Sequence, residues 1–263
     1  MRTRRMQLSE REEDIIECID DNQLLCFSFD QCKSLVEFNS IELQDILSRL
    51  VKRQFLFRIE KGIYCIRSFR NSFVISNMLL RDSAIAFWSA LNLHGLTEQI
   101  PNVIFSQSTH RKNDKTVFNV CYKFVKVKSD KMFGTMKMGY GNEAFQVTDV
   151  EKTLLDCFDL PQYSGGYAEL IRAFYSAKIS SARLLDYGLK MNNLSILKRM
   201  ALLSDLFRMK GFTRFQKEVL KRMNQKYTLI DPFGENEGEF ISKWRVRLNI
   251  SKENLLGIVQ KKY

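Results

Sequence analysis

Four carboxylates, Asp149, Glu151, Asp156 and Asp159, lie close together in the chain and are the first candidates for acid–base or metal-assisted chemistry. In a helix, Asp149, Asp156 and Asp159 share part of one face, as ligands of a divalent cation can. An acidic helix start that favours the helix dipole is the commoner cause of such a cluster. A cryptic nuclease or nucleotidyltransferase built on Asp149 is therefore only an alternative hypothesis, and no metal site is expected.

The remaining reactive residues form no catalytic motif. The glycine-containing run 134–141 lacks the Lys-Ser/Thr pair that a phosphate-binding loop requires. His94 has no accompanying nucleophile, so a helix-capping or core role is expected for it. The chain has 6 cysteines without C-x-x-C spacing and only 2 histidines, which argues against zinc. We therefore expect a protein that is not an enzyme and has no cofactor.

The composition indicates a folded chain of 263 residues, with 45% hydrophobic and 27% charged side chains. No apolar run approaches the roughly 18 residues of a membrane span. The basic and polar start, residues 1–10, has no apolar segment behind it, so a secretory signal is not expected. These features predict a cytoplasmic protein that does not contact membranes.

The formal net charge of +11 is unevenly distributed. Residues 1–75 hold 12 basic and 12 acidic side chains, whereas residues 101–140 hold 8 basic and 2 acidic ones. The largest excess lies in residues 170–230, with 13 basic and 3 acidic side chains. A surplus of this kind favours polyanions such as nucleic acids, and a solubilising surface is the alternative explanation.

Three helices are predicted in the first part of the chain, each from a start signal followed by apolar residues at helical spacing. The first two follow the capping boxes Ser9-Glu10-Arg11-Glu12 and Ser28-Phe29-Asp30-Gln31. The third follows Asn39 or Ser40. Its predicted apolar face consists of Leu43, Ile46, Leu47 and Leu50.

A β-hairpin is predicted directly after these helices. The runs 55–59 and 63–66 are rich in β-formers, and Gly62 between them permits a tight turn. Three helices followed by a hairpin is the order of a winged helix-turn-helix domain, which we place at residues 1–70. Because this order also occurs in protein-interaction modules and residues 1–75 are neutral, DNA binding does not follow from it alone.

In a winged helix-turn-helix domain the third helix enters the major groove and the hairpin lies along the DNA backbone. Arg58 and Lys61 on the hairpin are expected to contact phosphates. Arg2, Arg4 and Arg5 form a basic arm suited to a minor groove, or a solvated terminus. The complete set of predicted DNA-binding residues is Asn39, Ser40, Glu42, Gln44, Asp45, Ser48, Arg49, Lys52, Arg53, Arg58, Lys61, Arg2, Arg4 and Arg5.

A second domain of mixed α and β structure is predicted for residues 76–263. Residues 69–80 are predicted to be a connector, and a helix is predicted near 81–94. A third capping box, Thr148-Asp149-Val150-Glu151, starts a helix that Pro161 ends. Strands are predicted at 103–107, 117–127, 144–147 and 244–249, and helices fill most of 167–227.

Two segments of this second part resemble signatures of the AbiEi antitoxins, which are also described as transcriptional regulators of viral-defence operons, and a third segment fits the stretch just after the second signature. The first is Ala86-Phe-Trp-Ser-Ala-Leu-Asn-Leu-His-Gly-Leu-Thr-Glu-Gln99, and the second is Thr148-Asp-Val-Glu-Lys-Thr-Leu-Leu-Asp156. The third, Pro161-Gln-Tyr-Ser-Gly-Gly166, follows directly. Gly62-Ile63-Tyr64 and the closing run 244–249 also fit, so the resemblance extends over residues 8–255.

The resemblance implies an α+β protein with an N-terminal winged helix-turn-helix domain and a C-terminal α/β antitoxin domain. It implies an antitoxin that represses its own operon by binding inverted repeats in double-stranded promoter DNA. It also implies that the antitoxin neutralises a co-encoded nucleotidyltransferase toxin in abortive phage infection. The antitoxin need not form a stable complex with this toxin. It carries over no catalytic residue, and the signature positions are expected to be structural.

Two other functions fit the sequence. In one, the chain is a protein-interaction antitoxin with little specific DNA binding, whose basic segment 170–230 covers an acidic toxin surface. In the other, it is a solitary winged-helix transcriptional regulator. Whether an adjacent reading frame encodes a nucleotidyltransferase separates the antitoxins from the solitary regulator.

Overall fold

The structure, a computed structural model, describes residues 8–260 and confirms a mixed α+β fold. Within the described chain, the first part runs helix–strand–helix–helix–strand–strand. These elements are α1 (Glu10–Asp21), β1 (Cys26–Ser28), α2 (Phe29–Lys33), α3 (Ser40–Lys52), β2 (Leu56–Glu60) and β3 (Ile63–Ile66).

Side-chain caps fix the starts of these helices. The Ser9 backbone N–H donates to Glu12 Oε2 at 2.9 Å, and the Ser28 N–H donates to Gln31 Oε1 at 2.8 Å. Each cap satisfies backbone donors that the first helical turn leaves without partners. Both predicted capping boxes are therefore confirmed.

The strands of the first part form an antiparallel sheet in the order β1–β3–β2. Gly62 has a φ of +75° in the turn between β2 and β3, which confirms the predicted hairpin. One face of the sheet packs with α1 and α3 around a core. Its buried members include Ile15, Ile19, Phe27, Leu43, Ile46, Leu47, Leu50, Leu56 and Tyr64.

A mixed six-stranded sheet follows, in the order β6–β7–β5–β4–β9–β8. Strands β5 and β7 run parallel, as do β4 and β9, and the other neighbours are antiparallel. The elements of this region are α4 (Ser72–Leu79), β4 (Ser83–Ile85), α5 (Phe87–Leu93), β5 (Val103–Ser108), β6 (Lys115–Val117), β7 (Val120–Lys126), β8 (Thr135–Met138) and β9 (Phe145–Thr148).

The last part of the described chain is mainly helical and contains a small sheet in the order β10–β12–β11, which α11 follows. Its elements are α6 (Val150–Asp159), α7 (Tyr167–Ser176), α8 (Ser181–Lys190), α9 (Leu194–Leu206), α10 (Thr213–Arg222), β10 (Thr228–Leu229), β11 (Glu239–Ile241), β12 (Val246–Leu248) and α11 (Lys252–Gln260). Among residues 8–260, no helix has the length and apolarity that crossing a membrane requires.

Several local predictions are wrong. The strand expected at 117–127 is interrupted, because β6 ends at Val117, β7 begins at Val120, and Phe118 and Asn119 form a turn with positive φ between them. The supposed connector 69–80 contains α4, whose N-cap Asn71 accepts hydrogen bonds from two backbone amides through its side chain. The supposed helix start at 81–86 is occupied by β4. The cap of α6 is Asp149 and not Thr148, because the Asp149 carboxylate accepts the Lys152 N–H at 2.9 Å.

One apolar core spans the predicted boundary between residues 1–70 and 76–263. It includes Ile59 and Cys65 from the first sheet together with Tyr122 and Val147 from the six-stranded sheet. Helix α4 contacts β1 as well as β4, β5 and β9, so it bridges the two sheets. The predicted division into two domains remains a prediction, and the packing across it is continuous.

Candidate nucleic-acid interface

One face of α3 is open to solvent and carries most of the polar residues expected to read DNA. Gln44, Asp45, Ser48 and Lys52 are exposed on the side opposite the buried leucines and isoleucine. Their spacing of three, four and seven residues places them on one helical face. Ile41, 77% exposed, begins the same face. Ile41 is not among the predicted DNA-binding residues, although its offset from the buried stripe at Leu43 and Leu47 is visible in the sequence.

The first residues of α3 are occupied in capping the helix. The Asn39 side chain accepts the N–H groups of Ile41 and Glu42 at 3.0 Å each. Glu42 accepts the Asn39 N–H at 3.2 Å and also pairs with Arg11 at 3.2 Å. Asn39 and Glu42 therefore fix the helix start, and Ser40 beside them is exposed.

The two arginines at the end of α3 both turn to α1. Arg49 Nε lies 3.3 Å from Glu12 Oε1, and Arg53 Nη1 lies 2.6 Å from Glu12 Oε2. Hydrogen bonding from the Ser9 backbone lowers the pKa of the buried Glu12 below its usual 4.5, although burial opposes it. The Ser9 hydroxyl, the charge of Arg53 and the hydrogen bond from Arg49 lower this pKa further. Arg49 remains half-exposed, whereas Arg53 is 17% exposed.

The hairpin presents Arg58 and Lys61, both exposed as predicted. Glu60 beside the turn lies 2.7 Å from Lys112 Nζ and 3.8 Å from Lys115 Nζ. These ion pairs bring the basic loop before β6 next to the hairpin tip. Lys112 and Lys115 were not among the predicted contacts, although the basic excess of residues 101–140 pointed to this region.

The predicted arm residues Arg2, Arg4 and Arg5 lie outside the described residues. Of the other predicted residues, the structure brings Gln44, Asp45, Ser48 and Lys52 together on α3. It places Arg58 and Lys61 on the neighbouring hairpin.

The signature-like segments form part of the core. His94 Nε2 is 2.7 Å from the Thr148 carbonyl oxygen, which joins the first segment to the second. Thr148 and Thr153 share a buried hydroxyl–hydroxyl hydrogen bond of 2.7 Å, and Leu154 and Leu155 are fully buried. These contacts account for the residues by packing and hydrogen bonding between α5, β9 and α6.

The four clustered carboxylates point to different partners. Asp149 caps α6 and accepts the Tyr187 hydroxyl at 3.0 Å, and Glu151 accepts the Ser180 N–H at 2.7 Å. Asp156 pairs with buried Lys152. Asp159 pairs with Lys131 and accepts the Asn193 amide at 2.9 Å. Within residues 8–260, no group of three potential ligands converges to hold a metal ion.

A cleft of about 720 Å³ lies beside the first signature-like segment. Residues 95–99 and side chains of α7 line it, together with Val259 of α11. Thr97 donates to Glu169 at 3.1 Å, and Arg172 pairs with the same carboxylate. Since these polar groups satisfy one another, the cleft wall is already hydrogen-bonded.

The basic segment 170–230 divides into internal and surface cations. Lys198 donates to Asn224 Oδ1 at 2.7 Å, and buried Arg199 donates to the Leu229 carbonyl at 2.8 Å. Arg199 therefore holds β10 against α9, and Lys198 holds the loop before β10. The exposed cations on and around α10 are Arg208, Lys210, Arg214, Lys217, Lys221, Arg222 and Lys226.

No protein-family model and no curated protein sequence matches this chain. Among solved structures, the RV2827C protein from Mycobacterium tuberculosis is similar, with a TM-score of 0.67 and 14% sequence identity. The match covers 97% of this chain and 96% of the mycobacterial one. At that identity the similarity shows a shared fold over nearly the whole length.

Proposed function

We propose that this chain is a DNA-binding antitoxin of the AbiEi type that represses its own operon. The observation that carries the proposal is the exposed polar face of α3 beside a basic hairpin. In a winged helix-turn-helix, that pairing places a helix in the major groove and a hairpin on the backbone. The resemblance of residues 86–99 and 148–156 supplies the antitoxin part of the proposal.

Base recognition is assigned to the middle of α3. Gln44 carries the amide group that pairs with adenine, and Lys52 carries an ammonium group that binds guanine or a phosphate. Exposed Ile41 suits the methyl group of thymine. Arg58 and Lys61, extended by Lys112 and Lys115, are assigned to phosphates, which position the protein but do not specify sequence.

Titration of the protein onto its own upstream DNA, by fluorescence anisotropy, tests this assignment. Gln44→Ala is expected to weaken binding to upstream DNA about 5- to 150-fold and to leave scrambled DNA unchanged. Lys61→Ala is expected to weaken both equally and reduce the salt slope by about 0.9. Lys178→Ala is the control, because Lys178 is exposed and belongs neither to α3 nor to the hairpin and its neighbouring lysines. If Gln44→Ala and Lys52→Ala both keep the wild-type affinity and the preference for upstream over scrambled DNA, α3 does not recognise the bases.

Neutralisation of a co-encoded nucleotidyltransferase is the second part of the proposal. It is tested by expressing that enzyme with and without this chain and measuring cell growth. Restored growth supports the antitoxin assignment, and unrestored growth with both proteins present contradicts it.

A protein-interaction antitoxin with weak DNA binding is the second candidate. The pairing of Arg49 and Arg53 with Glu12 favours it, because it reduces the free positive charge on α3. A pull-down with the neighbouring nucleotidyltransferase at low salt tests this candidate. Recovery of no complex counts against it.

A further inference from the structure

The outer face of the small C-terminal sheet carries a cluster of two aromatic rings and two arginines. Tyr227 and Phe240 contact each other edge to face, with ring centroids 4.9 Å apart. The guanidinium of Arg245 lies 5.5 Å from the Tyr227 ring centroid, and that of Arg247 lies 4.8 Å from the Phe240 centroid. We name these four residues the stacking cluster.

Strand register places the cluster on the solvent side. Phe240 on β11 and Arg247 on β12 are direct cross-strand partners, so their side chains share one face of the sheet. The neighbours of Arg247 along β12, Val246 and Leu248, are buried on the other face. Phe240 is 54% exposed and Tyr227 38% exposed, so part of each residue stays open to solvent beside the guanidinium group that lies over its ring.

The arginines of the cluster are held in place by neutral acceptors. Arg247 Nη1 donates to the Asn236 carbonyl at 2.6 Å, and its Nε donates to the Gly238 carbonyl at 3.2 Å. Arg245 Nη1 donates to the Tyr227 hydroxyl at 3.4 Å. Within the described chain neither arginine forms an ion pair with a carboxylate, so neither charge is neutralised by direct contact.

The surrounding charges favour a ligand that combines planar rings with a few anionic groups. Lys226, next to Tyr227, is exposed and forms no ion pair among residues 8–260. Glu239 is paired with Lys252 at 3.0 Å, and Glu235 and Glu237 lie in the preceding loop. Because acids and bases both lie nearby, the site carries less net positive charge than its two arginines and Lys226 alone would give.

We propose that this stacking cluster binds single-stranded nucleic acid. Bases of a single strand are free to stack on exposed aromatic rings and on arginine planes, whereas duplex bases are stacked on one another. Phosphates between the bases are bound by Lys226 and the two arginines. This site is separate from α3 and the hairpin and does not depend on the duplex binding proposed above.

The test uses the full chain and fluorescein-labelled oligomers of about 12 nucleotides, within the site sizes of single-strand binding folds. Oligodeoxythymidine, oligouridine and an abasic oligomer of equal length are titrated by anisotropy. The base-containing strands are expected to bind at least about fivefold more tightly than the abasic one. Equal affinity for all three would overturn the proposal, since binding would then depend on the phosphate backbone and not on the bases. Because uridine and thymidine differ in the base methyl group as well as in the sugar, oligodeoxyuridine is titrated too, and a difference between it and oligouridine identifies which sugar the site prefers.

Variants locate the site. Phe240→Ala and Phe240→Leu are expected to reduce affinity for the base-containing strands about five- to tenfold and leave the abasic oligomer unchanged. Tyr140→Ala removes a 94% exposed ring away from the cluster and is expected to change nothing. Thermal unfolding verifies that each variant folds. Wild-type affinity in folded Phe240→Leu would overturn the assignment.

The two binding activities are distinguishable with the same proteins. Gln44→Ala is expected to retain single-strand binding, and Phe240→Ala is expected to retain preference for upstream duplex DNA. If Gln44→Ala removes single-strand binding while Phe240→Ala does not, the single strand binds at α3 and the proposed site is wrong.

Discussion

At the scale of single residues, Glu12 decides how much positive charge α3 presents. It is nearly fully buried, yet it accepts the Ser9 N–H and contacts both Arg49 and Arg53. The sequence predicts a capping box that contains Glu12, and DNA contacts for the two arginines. It could not show that they meet, because their contact joins residues far apart in the chain.

Glu12→Gln is expected to weaken the pH dependence of folding stability. The pKa of Glu12 is below 4.5 in the folded protein, so the unfolded chain binds more protons as pH falls. The stabilisation is therefore present above about pH 4.5 and is lost below it. Urea midpoints of both proteins between pH 3 and 7 measure this. If the urea midpoints of the two proteins changed with pH in parallel, the ionised Glu12 carboxylate would not have the proposed role.

A buried ion pair inside α6, Lys152 with Asp156, is expected to be costly to break. Lys152→Met leaves the Asp156 carboxylate buried without its partner, and a loss of about 3–5 kcal/mol at pH 7 is expected. The double variant Lys152→Met/Asp156→Leu should regain most of that stability. Denaturant titration of the single and double variants provides the comparison. A double variant no more stable than Lys152→Met would contradict this account.

Burial raises the pKa of Asp156 to about 6 despite the opposing charge of Lys152. The folded protein therefore holds a proton that the unfolded chain releases between about pH 3.8 and 6. Stability from this group falls as pH rises through that interval. The stability that Lys152→Met loses relative to the wild type should accordingly be smaller at pH 5 than at pH 7.

At the scale of elements, local signals gave the helices of the first part and the hairpin. Capping boxes and apolar spacing suffice there, since both act within a few residues. Strand β1 was missed because its three residues, Cys26–Ser28, are shorter than a periodic pattern. Strand β8 was missed because its alternation is weak at a sheet edge, where Met136 is exposed.

Asn39 is expected to act as a helix cap more than as a base reader. Asn39→Ala should lower stability by about 1 kcal/mol, because two amides of α3 lose their acceptor. Asn39→Asp keeps the acceptor and should retain stability. Chemical denaturation of the three proteins measures this difference. Equal stability of Asn39→Ala and the wild type would contradict the capping role.

At the scale of the whole molecule, the first part and the six-stranded sheet are packed together. Cys65 and Ile59 share a core with Tyr122, and Arg70 lies over the Phe118 ring at 3.9 Å. The sequence could not reveal this interface. Its apolar pattern indicates which residues are buried, but not which of two cores each of them joins. It did predict the α+β class and the hairpin correctly.

A fragment of residues 1–70 is therefore expected to be less stable than one of residues 1–80. The longer fragment keeps α4, which contacts β1 and covers apolar side chains of the first sheet. Thermal unfolding followed by circular dichroism compares the two. A fragment 1–70 that unfolds at the same temperature as 1–80 would show that the first part needs no support from α4.

Sequence-specific recognition of DNA is the central claim, and titration of the wild-type chain tests it most directly. The protein's own upstream DNA and a scrambled duplex are compared by anisotropy at about 50 and 200 mM salt. The account predicts a preference for the upstream DNA that persists at the higher salt. Equal binding to both duplexes, collapsing as salt rises, would reduce the interaction to counterion release and contradict readout by α3.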